Sequence, residues 1–348
     1  MNMEEIYFDL INKNFKPFQP KLIKLYHKYK NYQKIYEYLK KRNNLFLDDK
    51  NKTSDEINKN GIKIITLKSK FYPKNFLKIP EKPLGFYVLG NLNLLNSKNC
   101  LYIAVVGTRK PTFYGLKIAQ KISEELSKLG VIVISGLAYG IDSCAHKSVI
   151  NSKGKTIAII GEGIITALKS TKRKLIEEII QNDGLVISEF SNETKAMPYH
   201  FPLRNRLIAA LSDGVVIVEA PIDSGALITA KYALKYNKEI FVVPGEITNK
   251  NFEGSHNLIK QGAKLITKVE DILEEFNFKL PEKIIKTEKL TAEEEMVVEI
   301  LNKKPMTIEE ISRNSKKSIE DLLVILTYME IKGLVKNYNG KFYVTQLN

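Results

Sequence analysis

The chain has 348 residues, 44% of them hydrophobic, enough for one large domain with smaller satellites and a substantial core. Lys and Arg outnumber Asp and Glu by 54 to 39, and the resulting net charge of +15 favours a polyanionic partner, nucleic acid first. No stretch reaches the roughly 18 to 20 uninterrupted apolar residues of a membrane span, the opening MNMEEIYFDLINK lacks the order of a signal peptide, and Cys100 and Cys144 have no C-x-x-C or Cys/His spacing, so a membrane protein, an exported chain, a disulfide framework and a metal site are unexpected and the cytoplasm is the expected compartment.

From the N-terminus, Pro20 to Arg42 is rich in Tyr, Leu and Lys at helical spacing, and the polar run Asp48 to Asn60 follows. Residues 1–60 are therefore expected to form a small helical domain ending in a linker. Residues 61–99 read as a connector punctuated by proline. From Leu101 the rhythm changes to short apolar runs, Tyr102–Val106, Val131–Ile134, Thr156–Ile160, Leu185–Ile187, Val215–Val218 and Ile240–Val243, alternating with amphipathic helices. Strands that are apolar throughout and separated by helices imply a parallel sheet covered on both faces. That is a Rossmann-like, doubly wound α/β domain over residues 61–280, whose ligand lies beyond the carboxyl ends of the strands. After a linker from Phe276 to Lys289, a capped helix from Thr291, helices at Ile308–Ser312 and Ser318–Ile331, and a hairpin turning at Asn339-Gly340 predict a winged helix in residues 281–348.

The charge is unevenly spread, with 20 basic and 9 acidic residues in 1–100, 23 and 19 in 101–280, and 11 and 11 in 281–348. A neutral winged helix that opens on Glu293, Glu294 and Glu295 favours contact with protein over contact with duplex DNA. A Lys-, Asn- and Ile-rich composition accounts for most of the lysine excess. It also makes arginine informative, because only six of the basic residues are Arg, at 42, 109, 173, 204, 206 and 313. Arginine does what lysine cannot, gripping a phosphate with two donors or stacking on a base.

The turns that follow the strands carry the chemistry. Gly107 to Gly115 joins the first strand to a helix, and its backbone N–H groups with Thr108 and Arg109 make a phosphate-sized anion site, or simply the tight turn such a fold requires. G-x-G-x-x-G is absent there, Gly161-Glu162-Gly163 lacks a third glycine, and no G-K-[ST] occurs, so nicotinamide cofactors and ATP are disfavoured and no cofactor is expected. The second strand ends in Ser135 to Asp142, where Gly136 and Gly140 permit close approach of a ligand and Asp142 is expected to cap the next helix. His146, four residues on, is expected to make a structural hydrogen bond, since no nucleophile or orienting third group accompanies the pair. Phe201-Pro202-Leu203-Arg204-Asn205-Arg206, placed just before a helix, offers a ring for a base and two cations for phosphates. The competing reading puts Phe201 in the core and the arginines in solvent or on Asp213. Ser224-Gly225 opens another helix as a second anion site, and Glu219 is either a catalytic carboxylate or one that orients an Arg or a hydroxyl.

Taken in order, these turns resemble the DprA/Smf family over residues 61–265. The matches are Gly107 to Arg109 with Tyr114-Gly115, Ser135 to Asp142 with Ala145-His146, Ser188-Glu189-Phe190, Phe201 to Arg206, Val218-Glu219-Ala220 with Ser224-Gly225, Ile228-Thr229-Ala230, Pro244-Gly245, and Gly254-Ser255 with Asn257-Leu258-Ile259. The resemblance implies an extended Rossmann domain that binds single-stranded DNA in a basic pocket, flanked by a helical, SAM-like N-terminal domain and a winged-helix C-terminal domain. It also implies a homodimer that protects incoming DNA and hands it to the RecA recombinase in natural transformation, without catalysis. On that resemblance the DNA-binding residues are Thr108, Arg109, Gly136, Gly140, Phe201, Arg204, Asn205, Arg206, Ser224 and Gly225. Thr108 stands where the family usually has Ser, and Ala167 to Arg173 replaces its Tyr-Pro and Asn, so that loop contributes through its cations if at all. Two alternatives differ in class. One is a nucleotide phosphoribohydrolase similar to the LOG type, disfavoured because Pro221 to Ala226 breaks that family's glycine loop; the other is a protein–protein adaptor.

Overall fold

The structure is a computed structural model and describes residues 2–14, 20–43, 60–278, 291–302, 304–331, 334–338 and 340–344. Most of the two expected linkers, and Asn339 of the expected hairpin turn, lie outside these residues. The chain divides into two compact units, Met1–Pro281 and Glu282–Asn348.

Three helices open the first unit: α1 (Met3–Asn14), α2 (Pro20–Tyr29) and α3 (Tyr32–Asn43). The single helical stretch expected from Pro20 to Arg42 is broken at Lys30, which adopts φ +47° and ends α2 in the left-handed region. These helices pack against the sheet through Phe8, Leu10, Leu25, Tyr32, Ile35 and Leu39, in one hydrophobic cluster with Ile64, Tyr87, Ala158 and Val186 of the strands. Polar contacts fix the seating. Asp9 accepts a 2.5 Å hydrogen bond from the Tyr87 hydroxyl, Asn12 donates to the Glu189 carbonyl at 2.8 Å, and the Tyr32 hydroxyl donates to the carbonyl of Leu84.

The stretch read as a connector contributes β1 (Lys63–Thr66), a short α4 (Lys74–Leu77) and β2 (Gly85–Gly90). All six apolar runs then form strands: β3 (Tyr102–Val106), β4 (Ile132–Ser135), β5 (Thr156–Ile160), β6 (Leu185–Ser188), β7 (Gly214–Ile217) and β8 (Glu239–Val242), with a two-residue β9 (Lys264–Leu265) after them. The sheet order is β1-β2-β6-β5-β4-β3-β7-β8-β9. β1 and β2 are antiparallel additions, and β6 to β9 are parallel throughout.

Alternation along each strand sorts the core into two faces. Ala104 and Val106 join Leu207, Leu211, Ala226 and Ala230 of the helices α9 (His200–Leu211) and α10 (Gly225–Lys235). Ile103 and Val105 face the other way, against α5 (Phe113–Lys128), α6 (Ile141–Asn151) and α12 (Glu270–Glu275). The remaining helices are α7 (Ile164–Leu168), α8 (Arg173–Gln181) and α11 (Glu253–Lys260). Chain order reverses between β3 and β7, and the turns that leave them diverge. A crevice at the carboxyl end of a parallel sheet follows at this point.

The second unit holds α13 (Ala292–Leu301), β10 (Met306–Thr307), α14 (Ile308–Ser315), α15 (Ile319–Ile331), β11 (Val335–Tyr338) and β12 (Lys341–Val344). Thr291 with Glu294 and Thr307 with Glu310 form reciprocal capping boxes that start α13 and α14. The hairpin β11–β12 pairs Tyr338 with Lys341, and Gly340 takes φ +80° in the tight turn between them. Val297, Ile311, Leu322, Leu326 and Phe342 close a small separate core. This is the winged helix expected from the sequence. Among the described residues no helix is long and apolar enough to cross a membrane, and no cluster of His, Cys, Asp and Glu could hold a metal ion.

Candidate nucleic-acid interface

A crevice of about 630 Å³ opens where β3 and β7 part. The β3–α5 turn supplies Thr108, Arg109 and Lys110, the start of α9 supplies Phe201, Arg204 and Asn205, and the β7–α10 turn supplies Asp223, Ser224 and Gly225. Seven of the ten residues expected at the site therefore line one cavity. Gly136, Gly140 and Arg206 do not.

At the mouth, the exposed Arg109 holds its guanidinium carbon 4.7 Å from the centre of the Phe201 ring, a cation–π pair. Thr108 beneath it is buried, and its hydroxyl accepts from the Lys110 N–H at 3.2 Å, which leaves the hydroxyl proton to donate. Opposite, the Ser224 hydroxyl accepts from the Ala226 N–H at 3.3 Å and caps α10. A Cβ at Gly225 would meet nothing within 4 Å, so the first turn of α10 is open to a ligand. Asn205 ties the two helices by donating to the Gly225 carbonyl at 3.0 Å.

Glu219 sits at the base of this wall with no exposure. Its carboxylate accepts from the Thr112 N–H at 3.0 Å, the Thr112 hydroxyl at 2.8 Å and the Asn251 side-chain amide. Asn251 also donates to the Lys110 carbonyl at 3.1 Å. Glu219 is thus a clamp that holds the β3–α5 turn, the orienting role of the two the sequence left open. Asn251 lines the crevice and was not singled out from sequence. Its signal was slight, an amide in a polar turn just before the Gly254-Ser255 pair.

The expected grip of Phe201 to Arg206 is built differently. Helix α9 begins at His200, so these residues occupy its first two turns and their side chains fan around the helix. Arg204 points to the crevice floor and is almost wholly buried. It donates to the carbonyls of Gly136 and Ile159 and, through Nε, to the Asn205 side-chain carbonyl at 3.0 Å. A Cβ at Gly136 would come within 2.5 Å of that guanidinium, so the glycine makes room for Arg204 and does not itself meet a ligand in the crevice. Burial draws Arg204 down to about 10, opposed by the nearby carboxylates of Asp142 and Glu162, and it remains a cation at neutral pH. Burial likewise pushes Asp142 up, with Arg204 opposing.

Arg206 faces away from the crevice, fully buried, with one terminal nitrogen donating to both oxygens of Glu189 at 2.6 and 2.5 Å. It holds the β6 turn against α9, and Asp213, the partner considered from sequence, accepts instead from the Tyr102 N–H at 3.0 Å. Asp142 also departs from expectation. Gly140, at φ +81°, is the residue that caps α6, while Asp142 accepts from the Gly136 N–H at 3.1 Å. A Cβ at Gly140 would press on the Thr108 carbonyl at 2.5 Å, so this glycine supports the β3–α5 turn from behind. Beyond β5, Lys172 of the α7–α8 turn pairs with Glu162 at 2.5 Å, and Arg173 at the start of α8 pairs with Glu177 at 2.7 Å. Neither cation lines the crevice.

A profile of the family described as DNA recombination-mediator protein A matches residues 63–277, and one described as DprA winged helix domain matches residues 286–341. The chain belongs to the DprA/Smf family. Protein Smf of Escherichia coli (strain K12) is 41% identical over 217 residues, 62% of this chain and 57% of that protein, so the match spans little more than half of that relative. DNA processing protein DprA of Streptococcus pneumoniae is 39% identical over 207 residues, 60% of this chain and 72% of that one. Among solved structures, DNA processing protein A from Streptococcus pneumoniae aligns with a TM-score of 0.59 and 32% identity, covering 72% of this chain and 82% of its own. A structure describing the single-stranded DNA binding mode of the Helicobacter pylori protein aligns with a TM-score of 0.53 and 30% identity, over 62% and 96%. The DprA/Smf match begins at β1, so the two antiparallel strands belong to the family core. Helices α1 to α3 precede it.

Proposed function

We propose that this chain binds single-stranded DNA in the crevice between β3 and β7 and, as a homodimer, delivers it to a RecA-type recombinase during natural transformation. The observation that carries the binding reading is Arg109 poised over Phe201 at a cavity whose other walls are a capped helix start and the Thr108 hydroxyl. Every nucleobase has a face, so a ring with a guanidinium beside it takes bases of any sequence, and the cation adds a phosphate contact. Arg204 supplies fixed positive charge from the floor. The homologue from Helicobacter pylori, solved for its single-stranded DNA binding mode, supports the ligand class. A holding role agrees with Glu219, whose oxygens are engaged by Thr112 and Asn251.

The test is an oligonucleotide titration of the full chain. Phe201→Ala is expected to lose roughly 1–3 kcal/mol, the range for one stacked base. Arg109→Ala should weaken binding as well and flatten its dependence on salt, because one fewer counterion is released. Titration curves matching the unaltered protein for both variants would remove the crevice from consideration.

A further inference from the structure

The basic excess of this chain does not lie at the crevice. Residues 20–43 carry seven Lys and one Arg against a single acid, Glu37. Lysine is frequent at both ends of the chain, but residues 281–348 balance 11 basic with 11 acidic residues, whereas in 20–43 the lysines are left almost unopposed. The lysines of α2 and α3 are exposed. Among the described ion pairs, those of the N-terminal helices are Lys13 with Asp9 and Lys68 with Glu4, and Glu37 accepts from the Gln33 amide at 2.9 Å. Lys21, Lys24 and Lys28 recur at three and four residues and share one face of α2. Tyrosines are interleaved with them. The Tyr29 ring meets Tyr38 at 5.8 Å and lies 5.2 Å from the Lys28 ammonium, and both rings are half-buried.

The junction of α2 and α3 lies along the same sheet edge as the crevice. Tyr32, its anchor, donates to the Leu84 carbonyl and accepts from the Leu67 N–H at 3.4 Å, at the start of β2 and the end of β1. β2 runs antiparallel to β6, with Tyr87 opposite Ser188, so these ends stand beside the carboxyl ends of the parallel strands. From β3 to β1 the order counts five strand steps, about 24 Å at the usual ~4.8 Å spacing. The α7–α8 turn, which follows β5, lies between, held to the β4–α6 turn by the 2.6 Å contact of the Tyr139 and Thr171 hydroxyls, with Lys169 exposed on it and Lys174 exposed in the first turn of α8.

We infer that the α2–α3 face is a second segment of the DNA track, taking the sugar–phosphate backbone of the strand beyond the part held in the crevice through Lys28, Lys30 and Lys34. The inference rests on the crevice reading and extends it. Ammonium groups on flexible stems suit phosphates that are held without reading of bases.

The experiment compares the full chain with its Lys28→Gln/Lys30→Gln/Lys34→Gln variant, on oligo-dT of about 4 and about 16 nucleotides. The short strand should bind both proteins alike. The long strand should bind the variant more weakly, with the slope of log affinity against log salt reduced by about 2, or about 0.7 for each of three phosphates. Lys→Arg at the same three positions should restore it. An unchanged slope for the long strand overturns the inference, and with Arg109→Ala still impairing both lengths it leaves the crevice reading standing. An equal loss on duplex DNA of the same length also overturns it, since the face would then be a general polyanion surface. If the triple variant weakens the long strand while Arg109→Ala changes neither, the basic face is supported and the crevice reading fails.

Discussion

The Thr156 hydroxyl donates its proton to the Val133 carbonyl at 2.8 Å, so what it offers His146 at 2.7 Å is a lone pair. His146 must therefore carry its proton on Nδ1, and Nε2 is left a bare lone pair in a fully buried ring. Burial, aided by the Arg204 charge, lowers His146 from 6.5 to about 3. The folded state thus refuses a proton that the unfolded chain accepts below about pH 6.5. Stability from this group is complete above that pH and is lost as pH falls towards 3, with a slope of up to ~1.4 kcal/mol per pH unit. His146→Gln should flatten urea-denaturation stability between pH 6.5 and pH 4 relative to the parent. Parallel pH profiles would contradict the assignment. The arginines teach a related lesson. Arg204 reaches three acceptors through two of its nitrogens, as no lysine could, whereas Arg206 meets both oxygens of Glu189 through a single nitrogen. Whether the acceptor was a phosphate, a carbonyl or Glu189 depended on which side of α9 each residue faced.

At the scale of elements, the six parallel strands were legible because a strand buried on both faces must be apolar at every position. β1 and β2 escaped notice because Pro73, Pro80 and Pro83 fill the stretch between them and read as loop. Helix α9 starts earlier than the sequence suggested, since a proline in a first turn loses no helical hydrogen bond and need not mark a boundary. The seating of α1 on β2 offers a direct check. A Cβ at Gly85 would lie 2.9 Å from the Phe8 ring and 2.9 Å from the Ile65 carbonyl. Gly85→Val should cost roughly 1–3 kcal/mol by overpacking. Hydrogen exchange should locate the loss in α1 and β2, and a variant as stable and protected as the parent would show the helix is not seated there.

For the whole molecule, the two units have separate cores and differ in charge balance. Helix α15, the third helix of the winged unit, has no Lys or Arg between Ser318 and Ile331, and it exposes Leu323, Val324 and Tyr328. Such a helix cannot track phosphates as a duplex-reading helix does. A chain ending at residue 281 is therefore expected to give the same oligonucleotide titration as the full chain. A marked loss of affinity would place the winged unit on the DNA.

The sequence by itself determined the α/β class, the order of the parallel strands along the chain, the winged helix and the turns that gather at one edge, because periodicity and turn chemistry are local properties. It also marked Thr108, Arg109, Phe201, Asn205, Ser224 and Gly225, each in a turn or the first turns of a helix bordering the crevice. Only the tertiary structure decided that Arg204 is floor and Arg206 is brace, that Glu219 is a clamp, and that the lysine-rich helices share the crevice's edge of the sheet. Those outcomes depend on which distant groups are brought within hydrogen-bonding distance, and no spacing along the chain encodes that.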